Sequence, residues 1–185
     1  DSVMGDLNGD NIVEKAVVYH TTDSAEDGII RELHILKRKN GHWELWQSSR
    51  SAVRPSEDGG IMGDPYGGMY IKDGILEIQH FGGSSWKWGY TDKYRFQNDH
   101  FELIGHSGSY GRPCDYLIYT DFNLSTGKII WKKEIEECDE EGEYISSEAS
   151  TETFCNKDIH LNLSNRHEGE IRIPIPHTDE AYYLH

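Results

Sequence analysis

The stretch "SWKWGYTDKYRFQNDHFELIGHS", Ser85 to Ser107, decides the fold class. Between Trp86 and Phe96 the large rings Trp86, Trp88, Tyr90, Tyr94 and Phe96 all fall on even positions, while Lys87, Thr91, Lys93 and Arg95 take odd ones. Side chains on a strand alternate between two faces, so this parity predicts a half-buried strand with its rings turned inward. Burying those rings stabilises the fold by several kcal/mol, to order of magnitude. The same rings would also suit a platform for stacking on a sugar, but parity favours the core. Asn98–Asp99 then offers a tight turn, and an apolar run follows it. The unit is a β-hairpin.

Working outward, the same grammar repeats about every ten residues. Strands are expected at Ile12–His20, Ile30–Lys39, His42–Ser48, Tyr70–Lys72, Ile75–Phe81, Trp86–Phe96, His100–His106, Tyr116–Phe122 and Lys128–Ile135. Asn40–Gly41, Asp73–Gly74 and Asn98–Asp99 suit two-residue hairpin turns, and Asp121–Gly127 suits a longer one. "NGHWELWQSS" from Asn40 and "NDHFELIGHS" from Asn98 echo each other, as two similar hairpins would. No amphipathic helix of useful length is found. The expectation is an all-β, antiparallel, hairpin-rich meander, propeller-like or sandwich-like. It forms a single domain over 1–185 that becomes less regular from about residue 138. Pro174 and Pro176 confine the last segment to an edge strand or an extended tail. Pro55–Gly68 and Gly105–Pro113, rich in glycine, serine and proline, read as loops able to carry a binding surface.

Composition excludes some functions. With 33 acidic and 18 basic residues the formal net charge is −15. Nucleic acid and anionic lipid both need a concentrated positive surface, so neither is an expected partner. No apolar run approaches the roughly 20 residues that cross a bilayer. The acid-rich run Glu134 to Glu143 reads as a solvated loop. The sequence begins at Asp1 without a methionine or a signal-like segment, so a trimmed N-terminus is expected. Cys114, Cys138 and Cys155 make no CxxC pair. An exported protein would allow a Cys138–Cys155 disulfide with Cys114 left over, and the count alone does not settle the redox compartment.

The most specific chemistry lies near the start, in "GDLNGDNIVEKAVVY", Gly5 to Tyr19. Asp6, Asn8 and Asp10 occupy loop positions 1, 3 and 5, with Ile12 at 7 and Glu14 at 9. Oxygen ligands at alternate positions of a tight loop converge on one centre, which suits one calcium ion. Ile12 would supply its backbone carbonyl and send its side chain into the core, and Glu14 would close the site. Asn11 stands where a positive φ is needed, which asparagine tolerates. The competing reading is an Asx-rich turn without metal. An EF-hand is excluded, because its twelfth position would be Val17 and the residues after it are strand-like.

"DLNGDNIVEKAVV" resembles the calcium loops of FG-GAP and VCBS-type repeats, with Asn11 for the usual glycine and Glu14 for the usual aspartate. "GGSSWKWGYTDKYRFQNDHFELIGHS" also resembles uncharacterised exported bacterial proteins that carry such a loop. The resemblance implies an extracytoplasmic location, in the periplasm, at the cell surface or secreted. It covers about 15 residues and does not carry over a complete propeller.

Other motifs are weak. "GHSGS" at Gly105–Ser109 begins like a nucleophile elbow but lacks the final glycine and the following helix. The ten histidines make no HExxH. No catalytic residue is assigned. The sequence points to an exported calcium-binding β domain with a binding role toward a protein or glycan. The alternatives are a glycan-directed hydrolase using loop carboxylates and a small acidic inhibitor.

Overall fold

The computed structural model describes residues 1–167 and 169–184. It is all-β, and the described residues include no helix. Strands β1 (Ser2–Gly5), β2 (Glu14–Ala25), β3 (Gly28–Lys39) and β4 (His42–Ser49) form a four-stranded sheet in chain order. Strands β5 (Tyr66–Lys72), β6 (Ile75–Gly83), β7 (Lys87–Gln97), β8 (His100–Gly111), β9 (Tyr116–Asn123), β10 (Lys128–Cys138) and β11 (Tyr144–Cys155) form a seven-stranded one. A two-stranded hairpin, β12 (Ile171–Pro174) and β13 (Ala181–Leu184), completes the chain. Every strand pair is antiparallel, as the meander reading requires.

The short turns explain the registers. Asn40 and Gly41 have φ of 49° and 82°, Asp73 and Gly74 of 52° and 74°, Asn98 and Asp99 of 51° and 63°. Positive φ at both central residues is the type I′ geometry, whose twist matches that of the flanking strands. Asn, Asp and Gly are the residues that accept it.

One core serves all three sheets. Leu33 and Ile35 of β3 pack with Leu76 and Ile78 of β6, Tyr94 of β7, Phe101 of β8, and Ile173 and Leu184 of the last hairpin. The arrangement is sandwich-like. Inward positions on β7 are even, as parity predicted, from Trp88 to Phe96, while Trp86 lies just before the strand. On β8 the parity changes. Lys93 pairs with Gly105 but Tyr94 pairs with Leu103, which leaves Ile104 as an extra residue. This β-bulge switches the buried positions from Phe101 and Leu103 to His106.

Several expectations are corrected. Gly105–Pro113 is not a loop, because β8 continues to Gly111 and its glycines lie against the neighbouring strands. The acidic run from Glu134 is not a loop until Cys138, since β10 pairs fully with β11. Regular structure also persists past residue 138 to Cys155. β11 is an exposed edge strand and buries no alternate face, so its sequence carries no period-2 apolar signal. The disulfide joins Cys114 to Cys138, and Cys155 is a free, exposed thiol. The bridge ties the β8–β9 connection to the end of β10, which the sheet brings side by side through β9.

The C-terminal segment is placed by an unfilled sheet edge. β9 pairs with β8 only over Gly105–Gly111, so the first half of β8 lacks a neighbour on that side. Leu161 to Leu163 fills the gap: Leu103 N donates to Leu161 O at 2.8 Å, and Leu163 N to Phe101 O at 3.1 Å. The Ser49 hydroxyl of β4 donates to the Leu163 carbonyl and fixes the segment from the other sheet. This docking delivers Arg166 and His167 to the seven-stranded face.

Candidate ligand cleft and acidic loop

Asp92 sits at an even, inward position of β7 and is fully buried. A buried carboxylate is stable only with compensating charge and hydrogen bonds. Asp92 has both. Its Oδ2 accepts from Arg166 Nε at 2.6 Å, and its Oδ1 from His106 Nδ1 at 2.7 Å and Arg166 Nη2 at 3.3 Å. Burial works to raise the Asp92 carboxyl, but the Arg166 charge and the His106 bond outweigh it and hold the group ionised. His106 is also buried, which disfavours its cation and lowers its affinity for a second proton. With Nδ1 donating to Asp92, neutral His106 carries its lone pair on Nε2.

Around this group lie further polar residues, His80 buried and Arg54, Tyr90 and His167 partly buried. Tyr90 Oη accepts from Arg54 Nε at 2.7 Å and pairs with His167 Nε2 at 3.0 Å. Burial pushes the Tyr90 hydroxyl up to about 12. His167 Nδ1 donates to the Ser51 carbonyl, and burial drives its affinity for a second proton well below the ordinary value. His80 Nε2 accepts from Arg54 N at 3.3 Å, and burial pulls its pKa down to about 3.

Above these groups opens a cleft of about 740 Å³. That volume is within the range of small-molecule sites. Its floor is the seven-stranded sheet, where Gly108 of β8 lies between Tyr90 of β7 and Thr120 of β9. Trp88, Tyr110, Tyr116, Trp131 and Tyr182 form much of the wall. The Trp88 ring lies across Gly82, where a Cβ would come within 2.5 Å of the indole, so glycine is required there. Trp86 stacks on Tyr110 with centroids 5.5 Å apart and an interplanar angle of 15°. Two ion pairs edge the cleft: Arg54 Nη1 to Asp58 Oδ2 at 2.5 Å, and Lys133 Nζ to Glu180 Oε1 at 2.6 Å.

The N-terminal loop folds as a set of side-chain-stabilised turns. Asp6 Oδ1 accepts from Asn8 N at 3.1 Å and Gly9 N at 2.7 Å, and Oδ2 from Asn11 N at 2.8 Å. Asn8 Oδ1 accepts from Asp10 N, and Asp10 Oδ1 from Ile12 N. Asn11 has a φ of 64°, the conformation expected of it. Glu14 is buried; its Oε2 accepts from Leu7 N at 2.8 Å, and Asn8 Nδ2 lies 3.1 Å from Asp10 Oδ2 and 3.5 Å from Glu14 Oε1. Burial raises the Glu14 carboxyl, and repulsion from Asp10 and Asp6 adds to it. The loop thus brings Asp6, Asn8, Asp10 and Glu14 near one another through these turns. Among the described residues, however, no three His, Cys, Asp or Glu side chains converge closely enough to hold a metal ion. The loop does not send the Ile12 side chain inward: Ile12 is half exposed, and Leu7 enters the core instead. Leu7 packs in the core cluster while its backbone N–H donates to the buried Glu14 carboxylate.

Sequence reasoning missed the cleft, although one signal was available. Asp92 shares the even parity of the inward rings on β7, and a carboxylate on a core face requires partners. Nothing in the sequence identified those partners as His106 and Arg166.

The fold and the cleft define a class: an antiparallel all-β chain with an aromatic-walled, ligand-sized cleft on its larger sheet. Comparison with known proteins gave no matching family model, no matching curated protein and no matching solved structure.

Proposed function

We propose that this chain is an extracytoplasmic, calcium-ordered binding domain that holds a glycan in the cleft of its seven-stranded sheet. The observation that carries the binding role is the cleft itself, about 740 Å³ with rings from four strands of the large sheet and from β13 in its wall. Faces of Trp and Tyr offer an apolar platform to the C–H faces of sugar rings. The calcium reading rests on the loop resemblance and on the donor set. Asp6, Asp10 and Glu14 carry carboxylates on one short loop, and the Asn8 amide, whose nitrogen faces Asp10 and Glu14 here, would have to turn to present its oxygen. These residue types are the ones a hard divalent cation takes, and binding would draw them closer together than the loop holds them here. Such an ion would neutralise the carboxylates and tie the loop between β1 and β2. Extracellular modules bind calcium at roughly 0.1–1 mM, which favours the periplasm, cell surface or secreted space.

A glycan-directed hydrolase is the second reading, and His106, which lines the cleft and is held from behind by the buried Asp92, favours it. A general base within reach of a substrate needs this kind of orientation.

Two measurements test these readings. Titrating the chain with a glycan array should give saturable binding that quenches or shifts the emission of Trp88 and Trp131. If no glycan binds at millimolar concentration, the binding role fails. Thermal melting should shift upward with millimolar calcium and return with chelator, and Asp6→Ala with Asp10→Ala should abolish the shift. Release of reducing sugar from a bound glycan would move the assignment to the hydrolase.

A further inference from the structure

Three features inside the cleft specify its ligand further, given the reading of the cleft as a glycan site. The first is charge. Arg54 and Lys133 both line it, and each is neutralised by a carboxylate, Asp58 and Glu180 respectively. An anionic ligand therefore finds no uncompensated lysine or arginine among the described residues that line the cleft, and the net charge of −15 opposes its approach. Each ion pair instead sets donors beside acceptors, which complements groups that both donate and accept.

The second feature is an open acceptor. The Nδ1 of His106 is engaged by Asp92, while no described residue bonds Nε2. That nitrogen lies beside the floor at Gly108, where an added Cβ would sit 3.2 Å from it. A side chain at 108 would cover the lone pair, and glycine leaves it open.

The third feature is an orphan hydroxyl. Tyr182 lines the same cleft, its ring 5.9 Å from that of His106, and its buried Oη has no hydrogen-bond partner among the described residues. Leaving a buried polar group unmatched destabilises a fold, so such groups cluster where something else completes them.

We infer that the cleft takes an uncharged sugar ring, with one ring hydroxyl donating to His106 Nε2 over Gly108 and the Tyr182 hydroxyl completing the polar contacts. A hydroxyl can donate to the imidazole and accept from a neighbouring donor, and the ring's C–H face meets the aromatic wall.

The test is a fluorescence titration of the 185-residue chain with cellobiose, maltose and lactose, and with galacturonate as the charged control. The inference predicts saturable binding of at least one neutral disaccharide and binding of galacturonate at least tenfold weaker. Gly108→Ala adds a methyl on extended backbone that crowds His106 Nε2 at 3.2 Å. It should weaken the disaccharide about tenfold or more, with a melting curve confirming that the variant is folded. Tyr182→Phe should fold at least as stably and also weaken it. Unchanged affinity in both variants, or tighter binding of galacturonate, overturns the inference while the cleft remains a sugar site. If no sugar of either kind perturbs the emission, the glycan reading fails and the inference falls with it.

Discussion

Arg166 donates from Nε to Asp92 Oδ2 across 2.6 Å, joining residues 74 positions apart in a fully buried pair. The contact fastens the C-terminal segment to the middle of the large sheet, and through Asp92 it also fixes the His106 ring. Breaking a buried pair by removing one partner destabilises by about 3–5 kcal/mol, because a charge is left uncompensated. Arg166→Met should therefore cost that much in urea denaturation. The double variant with Asp92→Asn should cost less than the sum of the singles. Additive losses would show that the two residues act independently.

Acid should destabilise the domain well above the carboxylate range. His80, His106 and His167 all bind a second proton less readily in the folded state than in the unfolded chain, chiefly because burial disfavours the cation. A depressed folded pKa gives stability that is complete above the unfolded value near 6.5 and is lost as pH falls toward the folded value, about 3 for His80. At pH 5 the loss is at most about 2 kcal/mol for each histidine. Denaturation midpoints at pH 7.5 and pH 5 measure it. Equal stability at the two would show that these rings are not held neutral by the fold.

Glu14→Gln should reverse its effect with calcium. Burial and repulsion from Asp10 and Asp6 oppose the Glu14 charge, while the side-chain oxygen of glutamine can still accept from Leu7 N. In chelator the variant should be as stable as the parent or about 1 kcal/mol more stable. In millimolar calcium the parent should become the more stable of the two. Parallel melting curves under both conditions would remove the ion from this loop.

The cysteine chemistry is directly checkable. The Cys114–Cys138 bridge spans a sequence separation of 24, and removing a crosslink of that size costs roughly 3 kcal/mol. Alkylation without reductant should label Cys155 alone, and Cys114→Ser with Cys138→Ser should lower the midpoint accordingly. Labelling of Cys114 or Cys138 in the unreduced protein would contradict this pairing.

Gly82→Ala should disturb the cleft wall. Its Cβ would approach the Trp88 indole to 2.5 Å and the Gly59 Cα to 2.9 Å. Crowding of this kind costs typically 1–3 kcal/mol, and the displaced indole should change tryptophan emission. An unchanged spectrum and midpoint would mean that the ring is not held where the sheet places it.

The sequence by itself determined the local architecture. Nine expected strands correspond to β2 through β10, and the Asn40–Gly41, Asp73–Gly74 and Asn98–Asp99 turns adopt the positive φ their chemistry allows. Those features depend on neighbouring residues, through parity and turn preference, so they are written locally. The elements it did not show are those without a local signal. β1, β12 and β13 are only four residues each, and β11 is an edge strand with an exposed, polar sequence. Only the tertiary structure decided the cleft. The bulge at Ile104 turns His106 inward, the open edge of β8 captures Leu161–Leu163, and Arg166 thereby reaches Asp92. Each step is a pairing between residues far apart in the chain, and such pairings are set by which edges and charges remain unsatisfied once the strands have formed.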